Sequence, residues 1–262
     1  MIVFVTNDDG VHAPGIAALA KAFKNAGHSP TVVAPDRERS SVGHAITLNR
    51  PLRLWSIESD LYGPEIEVHT CDGTPSDCVV LGIDQLCPQA DLVVSGINNG
   101  PNLGDDLTYS GTVSAAMEGS ILGYPSLAVS LNCSREDSEK HYESAAEIMV
   151  QLTDWLSQSP APREIVLNVN VPNLPLALIK GIKVTHKGTR IYADKVTKLQ
   201  DPHGRNYYWV AGRPEDDLVE GSDVWAVAHG YVSVTPIHMD MTHYDTLEIM
   251  RSGGIEGAIK VE

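Results

Sequence analysis

The chain has 262 residues, of which 34 are acidic and 19 are basic, and its formal net charge is -15 at pH 7. This excess of negative charge argues against a surface that neutralises nucleic-acid phosphates or anionic lipid headgroups, so we expect no nucleic-acid polymer as a partner. The length lies near the upper limit for one hydrophobic core, which predicts an α/β domain with a substantial appendage.

The cysteines and the first residues indicate the compartment. The cysteines show no C-x-x-C spacing, so we expect reduced and mostly buried thiols at Cys71, Cys78, Cys87 and Cys133. The first residues lack the basic and apolar stretches of a secretory signal, and no run approaches the roughly 18 apolar residues of a membrane span. We therefore expect a soluble, cytoplasmic protein with no membrane partner.

Apolar runs of strand length alternate with segments of helical period in the first two thirds of the chain. The runs typical of strands buried on both faces are residues 2–5, 31–34, 92–94, 127–131 and 165–171. The segments predicted as helices are residues 14–26, a segment that opens at Thr74-Pro75, a segment from 110 or 111 toward 122, and residues 138–158. This alternation predicts a doubly wound, mostly parallel, Rossmann-like sheet, and we expect residues 1–180 to form the catalytic core.

After about residue 172, apolar and polar residues alternate. We predict strands at residues 183–197 and 207–210, with a turn at Asp201-Pro202-His203-Gly204 between them, and a return strand at 231–235. An exposed hairpin that carries Tyr207, Tyr208 and Trp209 is typical of a subunit contact, although these rings could instead pack on their own domain. We predict that the hairpin, return strand and tail, residues 181–262, pack partly on the core and partly on a neighbouring subunit.

Polar residues follow three of the predicted strands. They are Asn7-Asp8-Asp9-Gly10, the loop 36–41 with Ser40, and Ser95-Gly96-Ile97-Asn98-Asn99-Gly100. Because parallel strands end at one edge of a sheet, these side chains can meet in one crevice. Two carboxylates, a hydroxyl and a carboxamide form the all-oxygen ligand set that Mg²⁺ or Mn²⁺ takes. The alternative is that Asn-Asp-Asp-Gly is only favourable turn chemistry.

A further loop, Tyr109-Ser110-Gly111-Thr112, precedes a predicted helix. Ser110 and Thr112 could offer hydroxyls, and the helix N-terminus could offer backbone N–H groups, to an anion. The alternative is that Ser110 only caps the helix. Beside a metal site we favour the anion-binding interpretation.

Several ordered motifs together resemble the survival protein SurE family of nucleotidases. They are Asn7-Asp8-Asp9-Gly10 with His12-Ala13-Pro14-Gly15-Ile16, Pro35-Asp36-Arg37-x-Arg39-Ser40, Gly73-Thr74-Pro75-x-Asp77-Cys78-Val79, Ser95-Gly96-Ile97-Asn98-x-Gly100-x-Asn102-x-Gly104-Asp105-Asp106, Tyr109-Ser110-Gly111-Thr112-Val113, and Gly230-Tyr231-Val232-Ser233-Val234-Thr235-Pro236. The resemblance extends from Met1 to about Asp240. It implies a metal-dependent phosphatase that acts on nucleoside 5′- and 3′-monophosphates, with some members also trimming polyphosphate.

The resemblance also implies roles for residues of this chain. One divalent metal ion per subunit would be held by Asp8, Asp9, Ser40 and Asn98, and Ser110, Gly111 and Thr112 would line the phosphate site. It further suggests a homodimer or homotetramer assembled through the C-terminal segment.

The favoured mechanism is metal-assisted hydrolysis, in which a bound water attacks phosphorus in line and Asp8 and Asp9 are the catalytic residues. A competing route makes the first aspartate a nucleophile. His12 and His44 are candidate general acids. Two other classes of function stay open, a metal-dependent amide deacetylase and a non-catalytic metal and nucleotide sensor. Neither G-x-x-x-x-G-K-[ST] nor G-x-G-x-x-G occurs, which argues against kinases and dehydrogenases.

Overall fold

The structure is a computed structural model that describes residues 1–134, 136–158, 165–193, 196–210 and 212–258. The strands are β1 Ile2–Thr6, β2 Ser29–Pro35, β3 Leu54–Ser56, β4 Glu67–Cys71, β5 Leu92–Asn99, β6 Ser126–Asn132, β7 Val166–Pro172, β8 Ile182–Val184, β9 Arg190–Ala193, β10 Val196–Gln200, β11 Asn206–Val210, β12 Arg213–Asp216 and β13 Val232–Ile237. The α-helices are α1 Pro14–Asn25, α2 Pro75–Gln85, α3 Gly111–Ile121, α4 Tyr142–Gln158, α5 Asp223–Ala228, α6 Tyr244–Ser252 and α7 Ile255–Ala258. Short 3₁₀ helices lie at Gly104–Thr108 and Leu176–Leu178.

One large sheet organises the molecule, with the strand order β3-β4-β2-β1-β5-β6-β7-β13-β8. The strands from β4 to β7 in this order are parallel, whereas β3 and β13 pair antiparallel with their neighbours near the two edges. The chain moves outward from β1 to β2 and then returns to place β5 on the other side of β1. This confirms the predicted doubly wound, mostly parallel sheet, and it puts the topological switch point between β1 and β5.

Helices cover both faces of the sheet. Because side chains alternate along a strand, Val3 and Val5 of β1 pack in the cluster that contains α1 and α4, whereas Phe4 packs with α2 and α3. α1 begins at Pro14, a residue suited to a first helical turn, and Gly27 follows its end in a positive-φ conformation. The two apolar layers hold β1 and β5 fixed, so the residues at their carboxyl ends start from a rigid support.

Several boundaries differ from the sequence-based expectations. The strand predicted at 92–94 continues to Asn99, and the helix predicted from residue 138 begins at Tyr142. The single strand predicted at 183–197 is wrong, because β8, β9 and β10 divide this stretch, and residues 194 and 195 lie outside the described part. After β8 the chain leaves the large sheet, and Gly188 then packs against Asp223 and Val224 of α5, where a side chain would not fit.

The predicted hairpin forms a two-stranded extension, which we call the arm (residues 190–193, 196–210 and 212–216). β10 pairs antiparallel with β11 across the turn in which Gly204 N donates to Asp201 O (2.9 Å), and β9 pairs with β12. Tyr207, Tyr208 and Trp209 are 43%, 58% and 60% exposed, so the described residues of the chain leave much of these side chains uncovered. Among the helices of the described residues, none is long and apolar enough to cross a membrane.

Candidate metal and phosphate site

A cavity of about 920 Å³ opens at the carboxyl ends of β1 and β5, at the switch point of the sheet. It is lined by Asp8, Asp9, Glu38, Ser40, Ser41, Asn98, Asn99, Pro101, Asn102, Asp106, Tyr109, Ser110, Lys140, Tyr192, Val210 and Gly212. The structure therefore brings together all four predicted metal-binding residues and one of the three predicted phosphate-binding residues. This clustering is the position in which open α/β sheets keep their ligand sites.

The turn after β1 presents its two aspartates without using them to form the turn. Asn7 closes the turn, since its Nδ2 donates to Gly10 O (3.0 Å) and its Oδ1 accepts from Gly10 N (3.1 Å). The turn interpretation of this motif therefore holds for Asn7 and Gly10. It leaves the carboxylates of Asp8 and Asp9 available for other contacts.

Asp8 is a buried carboxylate, with 4% of its surface exposed. Burial, together with the charge of Asp9, raises its pKa from 3.8 to about 6, although a hydrogen bond donated by the Thr112 hydroxyl opposes this rise. Neither Asp8 nor Asp9 belongs to an ion pair of the described residues. Such a pair of carboxylates is costly to hold ionised unless a cation sits beside it.

Asp9 is held more loosely at the cavity wall. Its Oδ2 accepts a hydrogen bond from the backbone N–H of Asn99 (2.9 Å), which ties the ends of β1 and β5 together. Burial raises the pKa of Asp9, and the nearby charge of Glu38 adds to this rise, whereas the Asn99 N–H and Lys140 lower it. Its second carboxylate oxygen is left available for a ligand.

Asn98 reaches the cavity because β5 contains a bulge. Three steps along β5, from Ser95 to Asn98, match two steps along β6, from Ala128 to Ser130. Gly96 makes this possible, since a Cβ there would lie 2.3 Å from the carbonyl oxygen of Val129. The Asn98 side chain donates its Nδ2 to Gly100 O (2.8 Å), which leaves its amide oxygen as a candidate ligand.

Ser40 comes from the loop after β2, and its hydroxyl donates to Glu38 Oε1 (2.6 Å). This donation leaves the lone pairs of the Ser40 oxygen available to a cation. The next residue, Ser41, also lines the cavity and has a φ of 56°, a strained conformation for a residue other than glycine. The loop thus directs two adjacent hydroxyl side chains toward the same space.

The three residues from Ser110 to Thr112 make different contacts, whereas the sequence predicts that all of them line the phosphate site. Ser110 lines the cavity and also caps α3, where its Oγ accepts from Val113 N (3.1 Å). Gly111 lies against Asp8, since an added Cβ would be 2.8 Å from Asp8 Cβ. Thr112 is fully buried and uses its hydroxyl on Asp8. The roles of Gly111 and Thr112 in phosphate binding stay predictions.

The two histidines predicted as candidate general acids lie apart from the cavity lining. His12 is exposed after the turn that follows β1. His44 pairs instead with the buried Glu118 of α3 (Nε2 to Oε2, 2.7 Å). Neither position favours proton transfer within the cavity.

Comparison with known proteins identifies the family to which this chain belongs. A family model described as "Survival protein SurE" matches residues 3–194, which is well over half of the chain. The chain belongs to the SurE family. A protein of Geobacter sulfurreducens named 5′-nucleotidase SurE is 50% identical over 254 residues, which cover 96% of this chain and 93% of that protein.

Other SurE proteins agree with this assignment. The 5′-nucleotidase SurE of Geobacter metallireducens is 48% identical over 254 residues, covering 96% of this chain and 97% of that protein. A crystal structure of a SurE protein from Aquifex aeolicus superposes with a TM-score of 0.83 at 44% identity, covering 96% of this chain and 99% of that chain. The likeness to SurE proteins therefore extends over nearly the whole sequence.

The donor set of this SurE chain fits a hard divalent cation. Within the described ranges there is no group of three or more His, Cys, Asp or Glu residues that could hold a metal, so a zinc site of sulfur and imidazole is not formed there. Two carboxylates supplemented by the neutral oxygens of Ser40 and Asn98 are the ligands that Mg²⁺ or Mn²⁺ accepts, with positions left for water or substrate.

Sequence reasoning missed several residues of the site. Glu38 lies in the loop 36–41 that was predicted to reach the crevice, but it was given no role. Lys140 lines the cavity from the loop that follows β6, at the same edge, so the same rule could have found it. Tyr192 reaches the cavity from the arm, which no strand-end rule predicts. Asn168 and Asn170 of β7 are buried and both donate to Asn102 O (2.9 Å each), which anchors the loop after β5.

Proposed function

We propose that this chain hydrolyses nucleoside 5′- and 3′-monophosphates to nucleoside and phosphate, using one Mg²⁺ or Mn²⁺ ion held by Asp8, Asp9, Ser40 and Asn98. Membership of the SurE family supports the enzyme class, a phosphoric monoester hydrolase. The observation that carries the proposal is the shared cavity, in which two carboxylates that form no ion pair with the described residues face neutral oxygen donors.

The ion and the residues around it would have separate roles in the reaction. The bound ion would polarise a phosphoryl oxygen and make a nucleophilic water available near neutral pH. Thr112 fixes the orientation of the Asp8 carboxylate, and the Asn99 N–H fixes that of Asp9. One of these two carboxylates, besides helping to hold the ion, can accept a proton from the attacking water. Ser110, at the cavity wall and the N-terminus of α3, orients the phosphate oxygens.

The alternatives fit the site less well. A zinc-dependent amide deacetylase needs histidine ligands, and the cavity lining formed by the described residues contains no histidine. A sensor that binds metal and nucleotide without turnover would need the same residues, so only a rate measurement separates it from a hydrolase.

We further propose that the chain works in the cytoplasm as a homodimer or homotetramer joined through residues 181–262. The exposed rings of Tyr207, Tyr208 and Trp209 support this, since an apolar strand edge of this kind favours a partner subunit. Light scattering of the purified protein tests the assembly. A Trp209→Lys variant that remains as large as the wild type would contradict the role of the arm.

Phosphate release from 5′-AMP and 3′-AMP tests the activity directly. The panel includes short polyphosphate, Mg²⁺, Mn²⁺ and EDTA, and it compares the wild type with Asp8→Asn and Asp9→Asn. We expect metal-dependent turnover that falls at least about a hundredfold in each variant. An Asp60→Asn variant, on an exposed loop, should keep the wild-type rate. Metal and AMP binding without phosphate release would instead support the sensor.

A further inference from the structure

The cavity is lined by more carboxylates than one divalent ion can neutralise, so the phosphate group of a substrate would meet an excess of negative charge. Four carboxylates line it, those of Asp8, Asp9, Glu38 and Asp106. Within the described part of the chain, only Asp106 among these is paired with an arginine, through Arg190 Nη1 (3.0 Å). One divalent ion would offset two carboxylates, so a phosphate monoester dianion would still enter a negative site. A further cation is therefore needed near the ion.

Lys140 is the one basic side chain among the described residues that line the cavity. It comes from the segment between β6 and α4, one strand beyond the metal ligand Asn98 in the sheet. Its Nζ donates to Asn99 Oδ1 (2.7 Å), and the backbone N–H of the same Asn99 donates to Asp9 Oδ2 (2.9 Å). Asn99 thus places the ammonium group beside the proposed metal ligands.

The contacts of Lys140 leave its charge available. An ammonium group has three donors, and the described residues accept only the one directed to Asn99, a neutral group. Lys140 forms no ion pair with a described carboxylate. A lysine held by a neutral amide in a negative cavity is suited to meet an anion that arrives with its own charge.

We propose that Lys140 binds the phosphoryl group of the substrate and the phosphate product, next to the metal ion. This inference rests on the proposed function, because it assigns a ligand to the same cavity. The competing role is structural, in which Lys140 only offsets the charge of Asp9. The two roles differ in what Lys140→Met changes, since the first predicts weaker phosphate binding and the second predicts altered metal binding alone.

Calorimetric titration with inorganic phosphate in the presence of Mn²⁺ separates these roles without requiring turnover. We expect Lys140→Met to weaken phosphate binding roughly tenfold to a hundredfold, the usual effect of losing one charged hydrogen bond. Lys140→Arg should recover most of the affinity. Lys21→Met removes the same charge from an exposed position on α1 and should bind phosphate like the wild type.

The binding of Mn²⁺ alone, measured on the same variants, completes the test. We expect the Mn²⁺ affinity of Lys140→Met to match or slightly exceed that of the wild type, because a positive charge near the ion is removed. Phosphate affinity within about twofold of the wild type in Lys140→Met would overturn the proposal. Weakened Mn²⁺ binding that accounts for the whole loss of phosphate binding would overturn it as well.

Steady-state kinetics then connects Lys140 to the reaction. With 5′-AMP we expect Lys140→Met to raise KM and to reduce its dependence on salt concentration, a response that a merely structural change does not produce. If the wild type releases no phosphate from AMP, the proposed function fails, while phosphate binding still decides the role of Lys140. If the wild type turns over and Lys140→Met keeps its KM and salt dependence, only the proposal about Lys140 fails.

Discussion

Among the single residues, Asp8 lies in an environment in which its ionised form is energetically unfavourable. The carboxylate is buried beside a second carboxylate, and its closest described partner is the neutral hydroxyl of Thr112. A metal ion reverses this cost, since a cation favours the ionised form. The metal-free protein thus holds an unfavourable electrostatic arrangement, which a cation bound beside Asp8 would relieve.

The metal-free protein should therefore show a stability difference between wild type and Asp8→Asn that depends on pH. The folded-state pKa of Asp8, about 6, exceeds its ordinary value of 3.8. The folded state then binds the proton more tightly, so this group's contribution is favourable below the ordinary value and is lost as pH rises toward 6. In EDTA, we expect the free energy of unfolding of Asp8→Asn, measured in urea, to rise relative to that of the wild type. The difference between the two proteins should grow by about 2–3 kcal/mol from pH 4 to pH 7. A constant difference across this range would contradict the burial argument.

Thr112 should affect the metal site although it does not line the cavity. Removing a hydrogen bond that orients a metal ligand usually weakens metal binding about tenfold to a hundredfold. We expect this loss in Thr112→Val, which keeps the shape of the side chain, whereas Thr112→Ser keeps the hydroxyl and should bind Mn²⁺ nearly as well as the wild type. Equal Mn²⁺ affinities of Val and Ser variants would show that the bond to Asp8 does not matter.

The sequence predicted the site residues on strand ends better than those elsewhere. Asp8, Asp9 and Asn98 could be placed together because parallel strands end at one edge. The use of Thr112 on Asp8 could not be predicted, because it depends on how closely α3 packs on β1, where Gly111 leaves no room for a side chain. Tyr192 could not be predicted because the arm's path over the cavity is set by tertiary contacts.

At the scale of elements, the arm is attached to the core by a compact ionic cluster. Arg190 of β9 is 9% exposed and bonds both oxygens of Asp216 on β12 (2.7 and 3.0 Å) as well as Asp106 (3.0 Å). Tyr192 also donates to Asp106 (2.6 Å). These bonds join the arm to the 3₁₀ helix that borders the cavity, so the arm forms one of the cavity walls.

Arg190→Met should loosen the arm, because it leaves two partly buried carboxylates without their partner. Breaking a buried pair of this kind costs about 3 kcal/mol, equivalent to roughly a hundredfold faster hydrogen exchange of the amides in β9 and β12. Arg205→Met removes the ion pair with Asp201, whose arginine is 78% exposed, and should change exchange only slightly. Similar exchange rates in the two variants would contradict the anchoring role of Arg190.

Regular elements with long apolar patterns were predictable, as were the hairpin strand β11 and the return strand β13, whereas several other short or polar elements were not. β1, β2, β6, β7 and the four long helices α1 to α4 follow the sequence pattern, with shifts of a few residues at their ends. β4 was missed because Glu67–Cys71 carries few apolar residues, although it pairs with β2 inside the sheet. β8, β9 and the start of β10 were merged into one strand, since sequence alternation does not reveal where the chain leaves one sheet for another.

Considered as a whole, the protein has a formal net charge of -15, although its cavity is proposed to bind an anion. The overall field disfavours approach of a phosphate, so local cations must provide the attraction. A metal ion held by the proposed ligands, together with Lys140, would provide these local positive charges.

We propose above all that one divalent ion is held by Asp8, Asp9, Ser40 and Asn98, which come from three loops at one sheet edge. A crystal structure of the protein grown with Mn²⁺ tests it most directly, through the anomalous scattering of the metal. We predict one strong peak per subunit, with oxygens of all four residues, or of Ser41 in place of Ser40, at bonding distance. A peak elsewhere, or a site empty at saturating Mn²⁺ in protein that hydrolyses AMP, would contradict the claim.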